Sequence, residues 1–354
     1  MTTFVRRPAP GPSRGAGRRL AGILAALCLG GLAAACSDVK DSMESADQAM
    51  SSALNPEDSP EFEGLTGTAL SDALYEHGLA LQKEGKDAEA FARFEQAAER
   101  GHGPGAYELG RAYNAGRGTE RDLNAGAKWI NAAAARGEPR AQYEVGAALY
   151  NGAGVGQDYV RAAEYLTSAA EQGHADAQFL LGECYANGRG VTKNITWAAR
   201  WYGKAAEQGH PDGAFSYGVV QAAGLGLPTN LPWGYAWLDI ASTHGHAKAG
   251  EVRAAIANKM SPAEIETGKQ RAAAFEPQKE MGQGDELADR PTIMYVQYSL
   301  NQLGFNAGVV DGLIGPRTRS AISAYLSSLG EGESGNEITE DLLQKLFEAQ
   351  LNTV

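Results

Sequence analysis

"AEQGHADAQFLLGECYANGRG", residues 170–190, places a histidine (His174), the acids Asp176 and Glu183 and a cysteine (Cys184) in one helical stretch. Taken alone, it is a candidate metal or nucleophile site, because such side chains ligate cations and activate attack. Along the chain it is one copy of a pattern. The glycine of "EQGH", Gly173, recurs as Gly101, Gly137, Gly209 and Gly245, in steps of 36 residues. Gly110, Gly146, Gly182 and Gly218 keep the same step, as do the G-x-G pairs Gly116/Gly118, Gly152/Gly154, Gly188/Gly190 and Gly224/Gly226. Two aromatic registers follow, Tyr107/Tyr143/Phe179/Phe215 and Trp129/Tyr165/Trp201/Trp237. Registers that stay in phase over this distance are the signature of stacked repeats.

The period answers the question about the reactive letters. His174 falls in the slot of His102, Glu138, His210 and His246, and Cys184 in the slot of Ala112, Ala148 and Val220. A metal or nucleophile site does not survive such exchanges. His77 and His244 lie off the lattice without a neighbour of catalytic type, and no H-E-x-x-H, G-x-S-x-G, phosphate-loop or C-x-x-C motif occurs. No cofactor, metal site or catalytic residue is expected.

Each unit predicts two helices. The first runs from about Gly105 to Ala115 and stops at a glycine, which tolerates the left-handed conformation of a helix end. The second opens at Asp122, or at Asp158, Asn194 and Asn230 in later units, residues suited to cap unpaired backbone N–H groups. Paired alanines such as Ala169/Ala170 permit close helix approach while the aromatics fill the gaps. The fold class is all-α, a solenoid over residues 67–275. The pattern "AAxQGHxxAQxxLGxxYxxGxGV" resembles the Sel-1-like repeat, a relative of the tetratricopeptide repeat, over about Ala69 to Gly250. The leading unit lacks the long glycine loop and looks more like a plain tetratricopeptide pair, as a capping repeat would. Ser261, Pro262 and Glu264 spell a helix start, so residues 247–275 read as a closing helical pair.

The resemblance implies protein binding through the face of the first helices. On that face the units disagree: Glu108/Arg111, Glu144/Ala147, Leu180/Glu183 and Ser216/Val219. Glu108, Arg111, Glu144 and Glu183 are the expected partner-binding residues.

The amino terminus reads as an address. Five arginines and no acid precede Cys36, and an apolar run spans Leu20 to Cys36, too short for a comfortable membrane span. Residues 1–35 are the expected signal peptide. Ala33-Ala34-Ala35-Cys36 resembles a lipoprotein cleavage box, with Ala33 where leucine is usual, and implies lipidation of Cys36. Residues 36–66 form an acidic, serine-containing tether. The formal charge is −12 overall, and from Cys36 onward 26 basic residues face 43 acidic ones. Nucleic acid is therefore not an expected partner.

Residues 276–290 are polar and glycine-containing, a linker by composition. Beyond it, over 291–354, a three-helix module carries "LNQLGFNAGVVDGLIGPRTRSAISAY" from Leu300 to Tyr325. This resembles the peptidoglycan-binding domain found beside cell-wall hydrolases, with Tyr325-Leu326 in place of the usual Phe-Gln and a degraded second turn. The resemblance implies peptidoglycan contact through Asp311, Arg317, Thr318, Arg319 and Tyr325. The function expected is a non-catalytic adaptor of the cell envelope, periplasmic and lipid-anchored, with the outer membrane favoured. Alternatives are a soluble periplasmic or secreted form, a regulator of a sensor protein, and a wall hydrolase.

Overall fold

The computed structural model describes residues 62–278, 289–330 and 335–352, and these form fifteen α-helices with no strand among them. Five pairs stack in chain order: α1 (Gly67–Lys83) with α2 (Asp87–Glu99), α3 (Gly103–Ala115) with α4 (Leu123–Ala135), α5 (Pro139–Asn151) with α6 (Tyr159–Glu171), α7 (Ala175–Asn187) with α8 (Ile195–Glu207), and α9 (Pro211–Ala223) with α10 (Leu231–Thr243). Two closing helices, α11 (Ala249–Ala257) and α12 (Pro262–Ala273), lie against α10. A three-helix module follows: α13 (Arg290–Gln302), α14 (Pro316–Ser328) and α15 (Glu340–Leu351). The expected signal peptide, Cys36 and all but the last residues of the expected tether lie outside the described residues.

The repeat letters have local causes. Asp122, Asp158, Asn194 and Asn230 each accept a backbone N–H from the first turn of α4, α6, α8 and α10. Gly116, Gly152, Gly188 and Gly224 end the first helices in the left-handed region, with φ of 67–70°. The second glycine of the loop has a different duty. At Gly190, φ is +74° and an added Cβ would sit 1.9 Å from the Tyr159 carbonyl oxygen, so the loop of one unit touches the start of α6 in the unit before. Ser261 and Glu264 close a capping box at the start of α12, as the sequence predicts.

The repeats and the module share one core. Leu181, Cys184 and Trp197 belong to the same buried apolar cluster as Tyr295, Leu300, Ile322 and Leu342. Helix α13 lies on α8, which is buried on every side from Thr196 to Glu207. Trp197 meets the Tyr295 ring edge-on at 4.7 Å and the Phe347 ring at 5.3 Å, while the Arg200 guanidinium covers its face at 4.8 Å. Arg200 Nε also donates to Thr292 Oγ1 at 2.8 Å. Of the stretch expected to be a linker, the described ends are held in place. Gln278 N–H donates to the Glu207 carbonyl at 2.9 Å, and Asp289 caps α13 by accepting from Thr292 N–H at 2.7 Å. Helix α13 opens at Arg290, and through it the module is docked on the solenoid.

Candidate partner-binding face

The histidines of the lattice are joints between repeats. His210 stands before α9; its Nδ1 accepts from Gly213 N–H at 3.0 Å, which leaves the proton on Nε2, 3.3 Å from Asp176 Oδ1 of the preceding unit. Its ring stacks on Phe179 at 5.1 Å. His102 repeats the arrangement, with Gly105 N–H at 3.0 Å, Asp72 at 3.2 Å and the Tyr75 ring at 4.9 Å. His174 caps α7 through Ala177 N–H and stacks on Tyr143. One boundary carries Glu138 in the histidine slot, and there Arg140 takes over: it donates to Glu138 Oε1 at 2.6 Å and lies 4.5 Å over the Tyr107 ring. Sequence reading placed these residues on the lattice but missed their work as cap, stack and ion-pair partner.

Cys184 is fully buried, and burial pushes its thiol up to about 12. Among the described residues, no three His, Cys, Asp or Glu side chains are placed to hold a metal ion.

The four expected partner-binding residues separate by environment. Glu108 is buried, and its Oε1 accepts from Arg140 Nη1 at 2.8 Å. Glu144 is half-buried and accepts from the Tyr107 hydroxyl at 2.6 Å; Glu183 is half-buried and accepts from the Tyr202 hydroxyl at 2.6 Å. Burial first, then the adjacent carboxylate, raises the pKa of both tyrosines, so each phenol stays a donor. Arg111 is exposed, its guanidinium 5.8 Å from the Tyr107 ring. Hydrogen bonds between helices thus hold the carboxylates in fixed orientations, and Arg111 and Glu144 line open space together.

That space is a groove of about 800 Å³, bordered by Asn114, Leu123, Ile130, Glu144, Val155 and Arg161 among others. A smaller recess of about 250 Å³ adjoins it through Asn114 and Glu144 and adds Arg111 and Arg117. Leu123 and Val155 are 57% and 48% exposed, apolar groups left in water beside Asn124, Gln157 and Asp158. The sequence signal for them was an apolar residue directly after the Asp122 cap and another inside the glycine loop.

In the module, Thr318 is buried, donating to the Ala307 carbonyl at 3.1 Å, and Tyr325 is buried with its hydroxyl donating to the Lys345 carbonyl at 3.0 Å. Asp311 Oδ1 accepts from Leu313 N–H at 2.9 Å and from Gln297 Nε2 at 3.0 Å, which fixes the D-G turn. Arg317 and Arg319 are exposed on α14, and Val309 and Leu313 are exposed in the segment that precedes it.

The Sel1 repeat model matches residues 68–102, 103–138, 139–174, 175–210 and 211–246. It includes the leading unit, so the short loop between α1 and α2 is a variation within the repeat rather than a departure from it. Among solved structures, a Sel1 repeat protein from Oxalobacter formigenes is 25% identical over 60% of this chain and 91% of its own, with a TM-score of 0.48. A protective antigen of uropathogenic Escherichia coli, described as displaying an SLR fold, is 20% identical over 75% of this chain and 58% of its own, with a TM-score of 0.49. An immunity protein from Pseudomonas aeruginosa is 18% identical over 61% of this chain and 86% of its own, with a TM-score of 0.36. No curated protein sequence matches. With half of its length matched in five consecutive units, the chain belongs to the Sel1 repeat family.

Proposed function

We propose that the protein is a non-catalytic adaptor of the cell envelope that holds a partner protein in the groove between its second and third repeats. The carrying observation is the contrast between side chains closed into joints and side chains left at open space. Glu108, Arg140 and the lattice histidines are consumed in joints between helices, whereas Arg111, Glu144, Leu123 and Val155 border open space. Mixed charge around exposed apolar groups suits a protein surface, since apolar contact supplies affinity and the charged rim sets register.

The envelope part of the reading rests on sequence. The arginine-led apolar run and Cys36 favour export and lipid anchoring, most simply at the outer membrane, and Arg317 and Arg319 favour contact with carboxylates of wall stem peptides. An anchor at one end and a wall contact at the other would hold the groove between membrane and wall and raise the local concentration of its partner. Charge reversal at Arg111 and Glu144 tests the groove: the set of proteins crosslinked to the variant in cells changes, and an unchanged set contradicts the reading. Sedimentation with purified peptidoglycan tests the module, and loss of the protein from the pellet in the Arg317→Glu/Arg319→Glu variant is expected. A Cys36→Ser variant that still fractionates with membranes contradicts lipidation.

A further inference from the structure

A second cavity lies where the last repeat, the closing pair and the module meet. It has a volume of about 300 Å³ and is walled by Trp233, Trp237 and Phe275, with Glu207, Arg271 and Arg290 also at its surface. Its cations are unusual for this chain. The Arg271 and Arg290 guanidiniums lie 4.4 Å and 4.0 Å from the centroid of the same indole ring, Trp233. Neither makes an ion pair among the described residues, and Arg271 Nη1 is buried without a hydrogen-bond partner. Glu276 lines the same cavity, yet neither guanidinium lies within ion-pair distance of it, which in a protein with 43 acidic residues against 31 basic ones is not a default surface arrangement. A third group points the same way: Glu207 is only 8% exposed, and its Oε2 is buried and unpartnered at the same cavity.

We infer that this cavity is a binding site for a small organic carboxylate with an apolar body. The carboxylate meets the two guanidiniums, whose planar donors match it in pairs. The body lies against Trp237, Ile240 and Phe275. Burial, reinforced by the nearby Asp289 charge, raises the Glu207 carboxyl to about 8, so at neutral pH it is protonated and donates a hydrogen bond to an anion instead of repelling it. At about 30 Å³ for each water-sized group, the space holds on the order of ten non-hydrogen atoms, which admits a short acyl chain or a single apolar residue with a terminal carboxylate. Since α8, α10, α12 and α13 all contribute, an occupied site ties the module to the solenoid, and this role is independent of the partner groove.

Calorimetric titration of the whole protein tests the assignment with hexanoate, N-acetyl-leucine, hexan-1-ol and inorganic phosphate as probes. One of the two carboxylates binds saturably at a single site. Hexan-1-ol and phosphate bind about tenfold more weakly or not at all, because each lacks one half of the match. A preference for hexanoate assigns an acyl ligand, and a preference for N-acetyl-leucine assigns a peptide terminus. Arg271→Gln and Arg290→Gln each weaken the preferred carboxylate about tenfold. Equal binding of the alcohol and the acid, binding of phosphate as tight as hexanoate, or no saturable heat from either carboxylate overturns the inference without any variant having to fold.

Discussion

Lys204 Nζ lies 2.9 Å from Asp289 Oδ2, with side chains only 3% and 5% exposed, and this pair joins the fourth repeat to the first turn of the module. Two charges so far from water are tolerated only together, since removing one leaves the other buried and uncompensated. Lys204→Met should therefore destabilise the protein by about 3–5 kcal/mol in chemical denaturation. Lys204→Met combined with Asp289→Asn should recover much of that loss, because the amide oxygen keeps the cap on Thr292 N–H without a charge to desolvate. If Lys204→Met alone leaves stability unchanged, the docked arrangement of α13 on α8 is wrong.

The two kinds of loop glycine should separate under substitution. Gly154 and Gly190 share a φ of +74°, but an added Cβ meets nothing within 4 Å at Gly154 and meets the Tyr159 carbonyl oxygen at 1.9 Å at Gly190. Gly154→Ala should cost about 1 kcal/mol, the strain of the backbone conformation alone. Gly190→Ala should cost clearly more, because either the loop or the start of α6 must move. Equal losses in urea denaturation would remove the inter-repeat contact from the account.

Two histidines and one buried carboxyl should give the stability–pH profile opposite slopes. Burial lowers the pKa of His102 and His174, so each folded ring prefers to stay neutral, and each uses Nδ1 as an acceptor. Their contribution is present above the ordinary value of about 6.5 and is lost as pH falls through the lowered folded values. Glu207 runs the other way. Raised from 4.5 to about 8, it holds a proton in the folded state that the unfolded chain has released, so stability falls as pH rises between those values. Melting temperatures of Glu207→Gln should lose the decline between pH 5 and 8, and those of His174→Ala should lose part of the acid-side decline at a cost of about 1 kcal/mol for the missing cap.

Cys184 should behave as a core residue. Its full burial and elevated thiol predict that, in a Cys28→Ser/Cys36→Ser background, iodoacetamide labels it only when denaturant opens the fold. Rapid labelling of the native protein would mean that the interior of the fourth repeat is accessible.

The solenoid was legible because its causes are local: glycines at loop ends and Asp or Asn at caps announce themselves at fixed spacing. The joints were less so. Nothing near Glu108 in sequence says that Arg140, thirty-two residues on, closes over it, so a varying surface residue and a buried one looked alike. The docked module was harder still, because Lys204 and Asp289 lie in different parts of the chain. One signal was present: Trp197 stands where earlier repeats have Arg161 and Ala125, and with Trp201 and Tyr202 it makes α8 apolar around more than one face. A helix of that kind must be covered by something beyond its repeat neighbours.

The central claim is that the groove bordered by Arg111 and Glu144 receives a protein. A photo-crosslinking amino acid placed at Arg111 or Leu123 in the full-length protein, with Glu251 on α11 as the control site, tests it directly in cells. One discrete adduct is expected, shared by Arg111 and Leu123, absent at Glu251, and lost when Glu144→Lys is added. Adducts of equal yield at all three sites, or none at Arg111 and Leu123, would contradict it.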